Sequence, residues 1–309
     1  MGLIVVSHYA RFYDYIKPTH AHVLLDGRIV VSGGEELIAR VDQEGYEWIE
    51  EQYHVTSAKQ PEKNRSFWAA AAHTAVNDMK RVFEGSFDEQ MQIIASGTYD
   101  LYFEAGSKGT LYLLVQGEEI DCDVKMHGAA GCDVRIWFDL RAQRSIRLAS
   151  FAEAQKDAVL TLSYLDVDDS DASYDLQAKA AGEGAQIAVH TATLCGCRKN
   201  WNMEIIHERP HTVGTMENYC IVKADAACII KAVGNIPKGS YGSESHQKSR
   251  VLTMSDRHSS EVVPILYIDE NDVKASHAMT LGQPDADQLY YLQTRGLNLE
   301  QALGLMSIG

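Results

Sequence analysis

The sequence has few of the features that would place the protein in a membrane, on a nucleic acid or outside the cell. It contains no run of about 18 apolar residues, the length that a membrane-spanning helix needs. Its 43 acidic residues outnumber its 28 basic residues, and the net charge of −15 argues against nucleic acid or an anionic membrane as a partner. Its six cysteines are too sparse for a secreted disulfide framework, so we expect a reducing, cytoplasmic location.

The sequence also lacks a nucleotide-binding loop of the form G-x-x-x-x-G-K-[ST], in which backbone N–H groups hold the phosphates. Residues 106–110, Gly-Ser-Lys-Gly-Thr, have similar residue types in the wrong order and join two strand-like runs. We therefore expect no ATP hydrolysis by this chain.

Between residues 98 and 276, apolar and polar residues alternate in short runs, a pattern typical of strands with one buried face. No helical pattern interrupts these runs, which disfavours a parallel sheet with helical crossovers. A β-sandwich and a β-solenoid both fit the spacing, but this many strands overfill one sandwich, whereas a solenoid has no strand limit. The clearest runs are 110–115, 120–126, 134–138, 159–165, 174–180, 186–193, 203–207, 228–233 and 262–268.

The first part of the chain has a different, mixed pattern. Residues 22–25 and 28–32 flank Asp26-Gly27, a two-residue signal for a type I′ turn, and predict a β-hairpin. Residues 35–51 show helical spacing of apolar side chains. After a polar stretch typical of a linker, residues 67–84 predict an amphipathic helix.

The C-terminal segment has a characteristic order of parts. A short extended run ends at Ser276, directly before His277, and a Gly-Gln-Pro-Asp turn follows. Asp285 is suited to cap a helix over residues 286–294. Asn298 and Gln301 are spaced to cap a second helix reciprocally.

Residues 272–296, DVKASHAMTLGQPDADQLYYLQTRG, resemble the segment that follows the last strands in the SufB/SufD family of iron–sulfur cluster assembly scaffolds, and they fit its SufD branch. The resemblance implies a mainly β fold, a right-handed parallel β-helix with flanking helices. It also implies a scaffold subunit that is not an enzyme by itself and that pairs with a SufB-type subunit. No cofactor would be bound stably; a nascent iron–sulfur cluster would form transiently at the interface with the partner.

The same resemblance assigns candidate site residues. In SufD proteins the histidine that matches His277 helps to form the cluster with a SufB cysteine, so His277 would be a metal ligand shared with the partner. Many relatives have a cysteine where this chain has Ala275, so no thiolate of this subunit lies beside His277. His211, in HERPHT, and His246 and Arg250, in SHQKSR, are candidates for the interface. The alternative for each histidine is a packing or capping role at a turn or strand end.

Residues 1–53 resemble the C-terminal end of SufC, the ABC-type ATPase of the same assembly system, through VVSHYARFYDYIKPTHAHVLLDGRIVVSGG. By this match His8 would be a vestigial switch histidine for the γ-phosphate, or a strand-end residue without a role. ATP would act only through a separate SufC partner, which SufD relatives dock through helices that continue beyond the position of Gly309.

These patterns divide the chain into a SufC-like fragment (1–53), a linker and helix (54–97), a SufD-like β-helix (98–277) and a C-terminal helical segment (278–309). Two alternative functions stay open. One is a non-functional fusion of two gene fragments, and the other is a β-helix enzyme that acts on an acidic polysaccharide.

The cysteines carry one further prediction. Cys195 and Cys197 are two positions apart, so in a strand both thiols would lie on one face. Such a pair would either pack in the core or bind a soft metal, and the core is the reading that we favour for the other four cysteines as well.

Overall fold

The structure is a computed structural model, and it describes residues 18–25, 28–44, 48–49 and 78–308. It is mainly β, with 64% of the described residues in strands, and forms a parallel β-solenoid of about seven turns, which confirms the predicted fold. The described residues fall into two compact units. One lies within Ser66–Gln283, and the other within Met1–Arg65 and Pro284–Gly309.

The N-terminal segment of the second unit forms a β-hairpin and a helix. Strands β1 (Ala21–Leu25) and β2 (Arg28–Gly33) pair antiparallel, which confirms the predicted pairing around residues 26–27, although that turn lies outside the described residues. Helix α1 spans Glu35–Glu44 and begins with two acidic residues, which favour the positive end of the helix dipole. The predicted helix extended to residue 51, and Trp48 and Ile49 are again helical.

The solenoid arranges its parallel strands in two rows, here called the A row and the B row, and the chain alternates between them. Two long strands, β6 (Lys108–Gly128) and β7 (Asp133–Ala154), run through both rows. The other A-row strands are β4 (Ser86–Ile93), β8 (Val159–Asp166), β10 (Gln186–Cys195), β12 (Val213–Val222), β14 (Ser243–Thr253) and β16 (Val273–Gly282). The other B-row strands are β3 (Asp78–Phe83), β5 (Gly97–Phe103), β9 (Asp171–Ala180), β11 (Arg198–His207), β13 (Ala227–Ile236) and β15 (Ser259–Ile268).

The hydrophobic core fills the space between the two rows. Alternate residues of each strand point inward, and in β10 every second residue is buried. Four aromatic side chains cross the core from row to row. Phe138 stacks on Tyr164 at 4.4 Å, Tyr164 meets the edge of Trp201 at 5.7 Å, and Trp201 stacks on Tyr174 at 3.9 Å between ring centroids.

One end of the solenoid is open within the described residues. There, β16 pairs with β14 alone, and β15 pairs with β13 alone. No residue of β15 or β16 is fully buried, although strands farther from this end bury every second side chain. The inward-facing positions of this last turn are therefore left uncovered.

Two predicted boundaries are wrong. The predicted helix over residues 67–84 is strand from Asp78 to Phe83 and has no regular structure at Glu84, and residues 67–77 lie outside the described residues. Solenoid strands therefore begin at Asp78, inside the predicted linker-and-helix segment, and continue to Gly282, beyond the predicted end at residue 277. Phe83 explains the first difference, because it is buried and stacks on Phe103 of β5 at 5.1 Å between ring centroids.

The C-terminal segment contains helices α2 (Ala286–Thr294) and α3 (Leu299–Ile308), each capped as the sequence predicts. The carboxylate of Asp285 accepts a hydrogen bond from the backbone N–H of Gln288 at 2.9 Å. Asn298 and Gln301 exchange backbone-to-side-chain hydrogen bonds of 3.0 and 2.8 Å. Of the helices that the described residues form, none has the length and apolar composition needed to cross a membrane.

Candidate functional site

His277 lies in the middle of β16, the terminal strand of the A row. It is in register with Gln247 of β14, whose side chain is buried, so His277 continues an inward-facing column of residues. Its side chain is nonetheless exposed, because no further strand covers that column in the described part of the chain. This corrects the prediction that the extended run ends at Ser276, since the strand continues through His277 to Gly282.

The interior of the A row becomes polar toward this end. The inward-facing residues of β8 include Leu160 and Leu162, whereas four successive inward positions of β14 are polar and buried. A chain of hydrogen bonds links three neighbouring strands there. The hydroxyl of Thr191 donates to Asn218 Oδ1 at 2.9 Å, and Asn218 Nδ2 donates to Ser249 Oγ at 3.0 Å. The four polar positions of β14 are Ser243, Ser245, Gln247 and Ser249.

His246 lies on the outer face of β14 and contacts two neighbours. Its Nδ1 forms a hydrogen bond of 2.8 Å with Ser276 Oγ of β16, and its Nε2 lies 3.6 Å from Glu244 Oε2. Lys274 Nζ donates to the same carboxylate at 2.7 Å, and this hydrogen bond is the main cause of the lowered pKa of Glu244. His246 therefore joins the last two strands of the A row on the side opposite to His277.

The other two candidates lie farther from His277. The Arg250 guanidinium, also on the outer face of β14, lies 5.6 Å from the ring centroid of Tyr219. His211 lies in the corner turn before β12 with a φ of 57°. The backbone N–H of His211 donates to the backbone carbonyl of Tyr241 at 2.9 Å, and the two rings meet edge to face with their centroids 5.2 Å apart. The four candidates thus occupy an inner face, an outer face and a corner, and they do not form one cluster.

His8 lies outside the described residues. Within residues 18–25, 28–44, 48–49 and 78–308, no group of three or more His, Cys, Asp and Glu side chains is arranged to hold a metal ion. In this range, therefore, no further ligands accompany His277.

The structure confirms the core position predicted for Cys195 but contradicts the prediction that Cys195 and Cys197 lie on one face of a strand. Cys195 is buried at the end of β10, whereas Cys197 lies in the following bend, where its thiol donates to Asp169 O at 3.3 Å. The close pair is instead Cys220 and Cys228, whose sulfur atoms are 3.4 Å apart in the core. Contact with Cys228 and burial raise the pKa of the Cys195 thiol, which keeps it protonated and unreactive.

A buried ion pair in the same part of the core was missed by the sequence analysis. Lys199 Nζ lies 2.8 Å from Asp166 Oδ1, and Tyr174 donates its hydroxyl to Asp166 Oδ2 at 2.7 Å. Burial raises the pKa of Asp166, and the Lys199 ammonium opposes that rise. The sequence contained an indication of this ion pair. Lys199 is two residues before the inward-pointing Trp201, so in a strand the lysine faces inward as well.

His207 is the second buried polar residue that sequence reasoning did not single out. It ends β11 and is fully buried, and its Nδ1 forms a hydrogen bond of 2.8 Å with Thr212 Oγ1. Thr212 Oγ1 in turn lies 2.9 Å from Ser243 Oγ of β14. Burial lowers the pKa of His207 to about 4. This small network joins the corner before β12 to the polar part of the interior.

Acid should therefore destabilise the solenoid through His207. The unfolded chain binds a proton near pH 6.5, but the folded chain resists protonation down to about pH 4, so stability falls across that interval as the pH is lowered. The loss should be about 3 kcal/mol. The His207→Gln variant has no group that titrates at this position. Between about pH 7.5 and about pH 4.5, its free energy of unfolding in urea titrations should therefore fall less than that of the unaltered chain, and the difference should be about this amount. Equal losses in the two proteins would contradict this assignment.

Comparison with known proteins bears on the solenoid and on a second, shorter stretch. A family model described as "SUF system FeS cluster assembly, SufBD core domain" matches residues 137–309. The chain is 37% identical over 111 residues to the iron-sulfur cluster assembly protein SufD of Bacillus subtilis strain 168, which is 36% of this chain and 25% of that protein. It is 51% identical over 51 residues to the probable ATP-dependent transporter SufC of Escherichia coli K12, which is 16% of this chain and 21% of that protein.

A third relative, vegetative protein 296 of Bacillus subtilis strain 168, is 45% identical over 51 residues, which is 16% of this chain and 20% of that protein. The chain thus spans 25% or less of the length of these three relatives. The family match covers His211, His246, Arg250 and His277.

Proposed function

Because the chain belongs to the SufBD core family of the SUF iron–sulfur cluster assembly system, we propose that its solenoid is a SufD-like scaffold subunit that pairs with a SufB-type partner. The subunit does not catalyse a reaction alone. It contributes one face of an interface at which a nascent cluster, the cargo of the system, is built. The observation that carries the proposal is the exposed His277 on a strand that, among the described residues, has a neighbouring strand on one side only.

The open end has the properties of a docking surface. A terminal strand presents backbone N–H and C=O groups that a strand of another protein can pair with. Its exposed inward-facing positions include apolar residues: on the strand of His277, Met279 is 51% and Leu281 41% exposed, and in the other row Ile268 is 41% exposed. A partner solenoid that extends both rows would cover these side chains. Exposed apolar side chains clustered at an unpaired strand edge are typical of interfaces.

His277 is the residue of this end that would contact the cluster. A neutral imidazole binds iron through one nitrogen, and its exposed position on β16 leaves it accessible to a partner. The neighbouring inward-facing position holds Ala275, so sulfur ligands come from the SufB-type partner. Neither His246, which is held by Ser276, nor Arg250 has a comparable position at the open end.

The similarity to SufC supports a role in the same assembly system. We assign ATP use to a separate SufC partner, because the sequence lacks a phosphate-binding loop. The family match favours the scaffold over an enzyme that acts on polysaccharides and over a fusion without a function.

The pairing is tested by a substitution at the open end. Leu281→Lys puts a charge on the proposed interface, and we expect it to weaken binding to a SufB–SufC pair by at least about tenfold, since an unpaired charge is costly in an apolar contact. The chain and the variant are mixed with the purified pair and separated by size exclusion, and the fraction of co-eluting chain is measured across a dilution series.

Leu165→Lys is the matched control. Leu165 is also a leucine on the A row and is 40% exposed, but it lies on the outer face of β8, far along the row from β16. This variant should bind like the unaltered chain. If the unaltered chain does not co-elute with the pair, or if both lysine variants bind equally well, the proposed pairing is wrong.

A further inference from the structure

Gln247 and His277 occupy matching inward-facing positions on neighbouring strands of the solenoid. The two residues are Cα partners on the adjacent parallel strands β14 and β16, so both side chains face the same way, with backbones about 4.8 Å apart. Gln247 is 4% exposed, whereas His277 lies at the open end and is exposed. The pair therefore consists of an enclosed carboxamide and a ring that has room to turn.

The carboxamide of Gln247 has a fixed orientation. Its Nε2 donates a hydrogen bond of 2.9 Å to the backbone carbonyl of Ile265 in β15. Because a carbonyl oxygen only accepts, the amide nitrogen must face Ile265 and the amide oxygen must face elsewhere. Gly234 provides the space, since a Cβ at that position would lie 3.2 Å from Nε2 of Gln247 and 2.4 Å from Ser245 Oγ.

The oxygen of this carboxamide is an acceptor without a donor. Gln247 Oε1 is inaccessible to solvent and has no hydrogen-bond partner among the described residues. Buried acceptors are rarely left in this state, because an unmade hydrogen bond is unfavourable. The neighbouring side chain in the same column, His277, carries one ring N–H when neutral and turns about two side-chain bonds.

We propose that Gln247 is a positioning residue for His277, whose ring N–H donates to Gln247 Oε1 after the exposed ring rotates inward. This hydrogen bond fixes one neutral tautomer and directs the other ring nitrogen away from the interior, where a partner's iron is to be bound. Histidines that bind metals commonly donate their second ring N–H to an oxygen in this way. The inference rests on the proposed function, because it adds a residue that orients the histidine assigned there.

The test uses the full chain alone, labelled with ¹⁵N-histidine, at about pH 8, where imidazole is neutral. The His277 ring signals are assigned by their loss in His277→Gln. We expect the His277 ring N–H to exchange with water roughly three- to tenfold more slowly in the unaltered chain than in Gln247→Leu, which keeps the volume of the side chain but has no acceptor. We also expect one neutral tautomer in the unaltered chain and a mixture in Gln247→Leu.

Ser245→Ala is the matched control. Ser245 is also a buried, inward-facing residue of β14 with an unpartnered oxygen, but its neighbour in β16 is Ala275. This variant should keep the slow exchange and the single tautomer of His277. Fast exchange and mixed tautomers in the unaltered chain, or slow exchange in Gln247→Leu, would overturn the inference. This experiment uses no partner, so its result is independent of the co-elution experiment. If the chain fails to co-elute with the SufB–SufC pair but shows the His277 hydrogen bond, the proposed function is wrong and the contact between Gln247 and His277 is still supported.

Discussion

Replacing Lys199 by methionine should lower the free energy of unfolding by about 3–5 kcal/mol. The Lys199 ammonium and the Asp166 carboxylate are 2.8 Å apart, and their side chains are 0% and 2% exposed. Methionine fills much of the same volume but carries no charge, so Asp166 keeps the hydrogen bond from Tyr174 and loses its counter-ion. A buried charge without a counter-ion is among the most destabilising changes that one substitution makes. Urea denaturation followed by circular dichroism measures the loss.

Lys223→Met serves as the control for this experiment. Lys223 Nζ lies 2.9 Å from Asp169 Oδ1, almost the same distance as in the buried pair, but the two side chains are 42% and 58% exposed. Solvent screens such a pair, so this substitution should cost about 0–1 kcal/mol. Equal losses for the two lysine variants would show that the buried pair does not have the role described here.

Replacing His277 by alanine should reduce cluster build-up on the complex with a SufB–SufC pair by at least about tenfold, because the substitution removes the proposed iron ligand. The substitution should not unfold the chain. His277 is exposed and makes no hydrogen bond or ion pair with another described residue, and exposed positions of this kind tolerate substitution within about 0.5 kcal/mol. Visible absorbance during anaerobic reconstitution with iron and a sulfur donor measures the build-up.

The control for that experiment is His190→Ala. His190 is a half-exposed histidine on the outer face of β10, in the same row of strands, and lies 3.7 Å from Glu217 Oε2. It is two strands away from β14 and has no place at the open end. Its removal should leave cluster build-up unchanged. Normal build-up in His277→Ala would remove His277 from the site, and a similar loss in both variants would point to a general effect on the fold.

The sequence predicted the solenoid because most of its strands show a plain alternation. In β11, for example, Trp201, Met203 and Ile205 point inward and are separated by polar residues. The alternation fails in β14, where the inward-facing Ser245, Gln247 and Ser249 are as polar as their outward-facing neighbours. Hydrophobic periodicity cannot find a strand whose two faces are both polar.

The error before residue 84 has a different cause. Met79, Val82 and Phe83 have the spacing of a helix face, and no local signal excludes a helix there. The segment is a strand because it pairs in parallel with β5 and buries Phe83 in the core of the solenoid. This contact joins segments that are distant in sequence, and such contacts override local propensity.

The candidate site was predictable in part. The residues around His277 identified it as the leading candidate, but its inward-facing position depends on its register with Gln247. That register is known only from the structure, because hydrophobic periodicity did not predict strand β14. The Gln247 contact with Ile265 could not be predicted either, because it joins the two rows across the interior.

A closed barrel has a fixed circumference, so its strand number is part of its geometry. The coil described here has no comparable rule, because each turn rests on the turn before it and the fold itself never completes a circle. Within the described residues, the last turn of this coil is β15 and β16, and its inward-facing side chains, His277 among them, are not buried. A fold of this kind is lengthened by adding a turn to its end, and the partner proposed above would do so without disturbing any turn that is already formed.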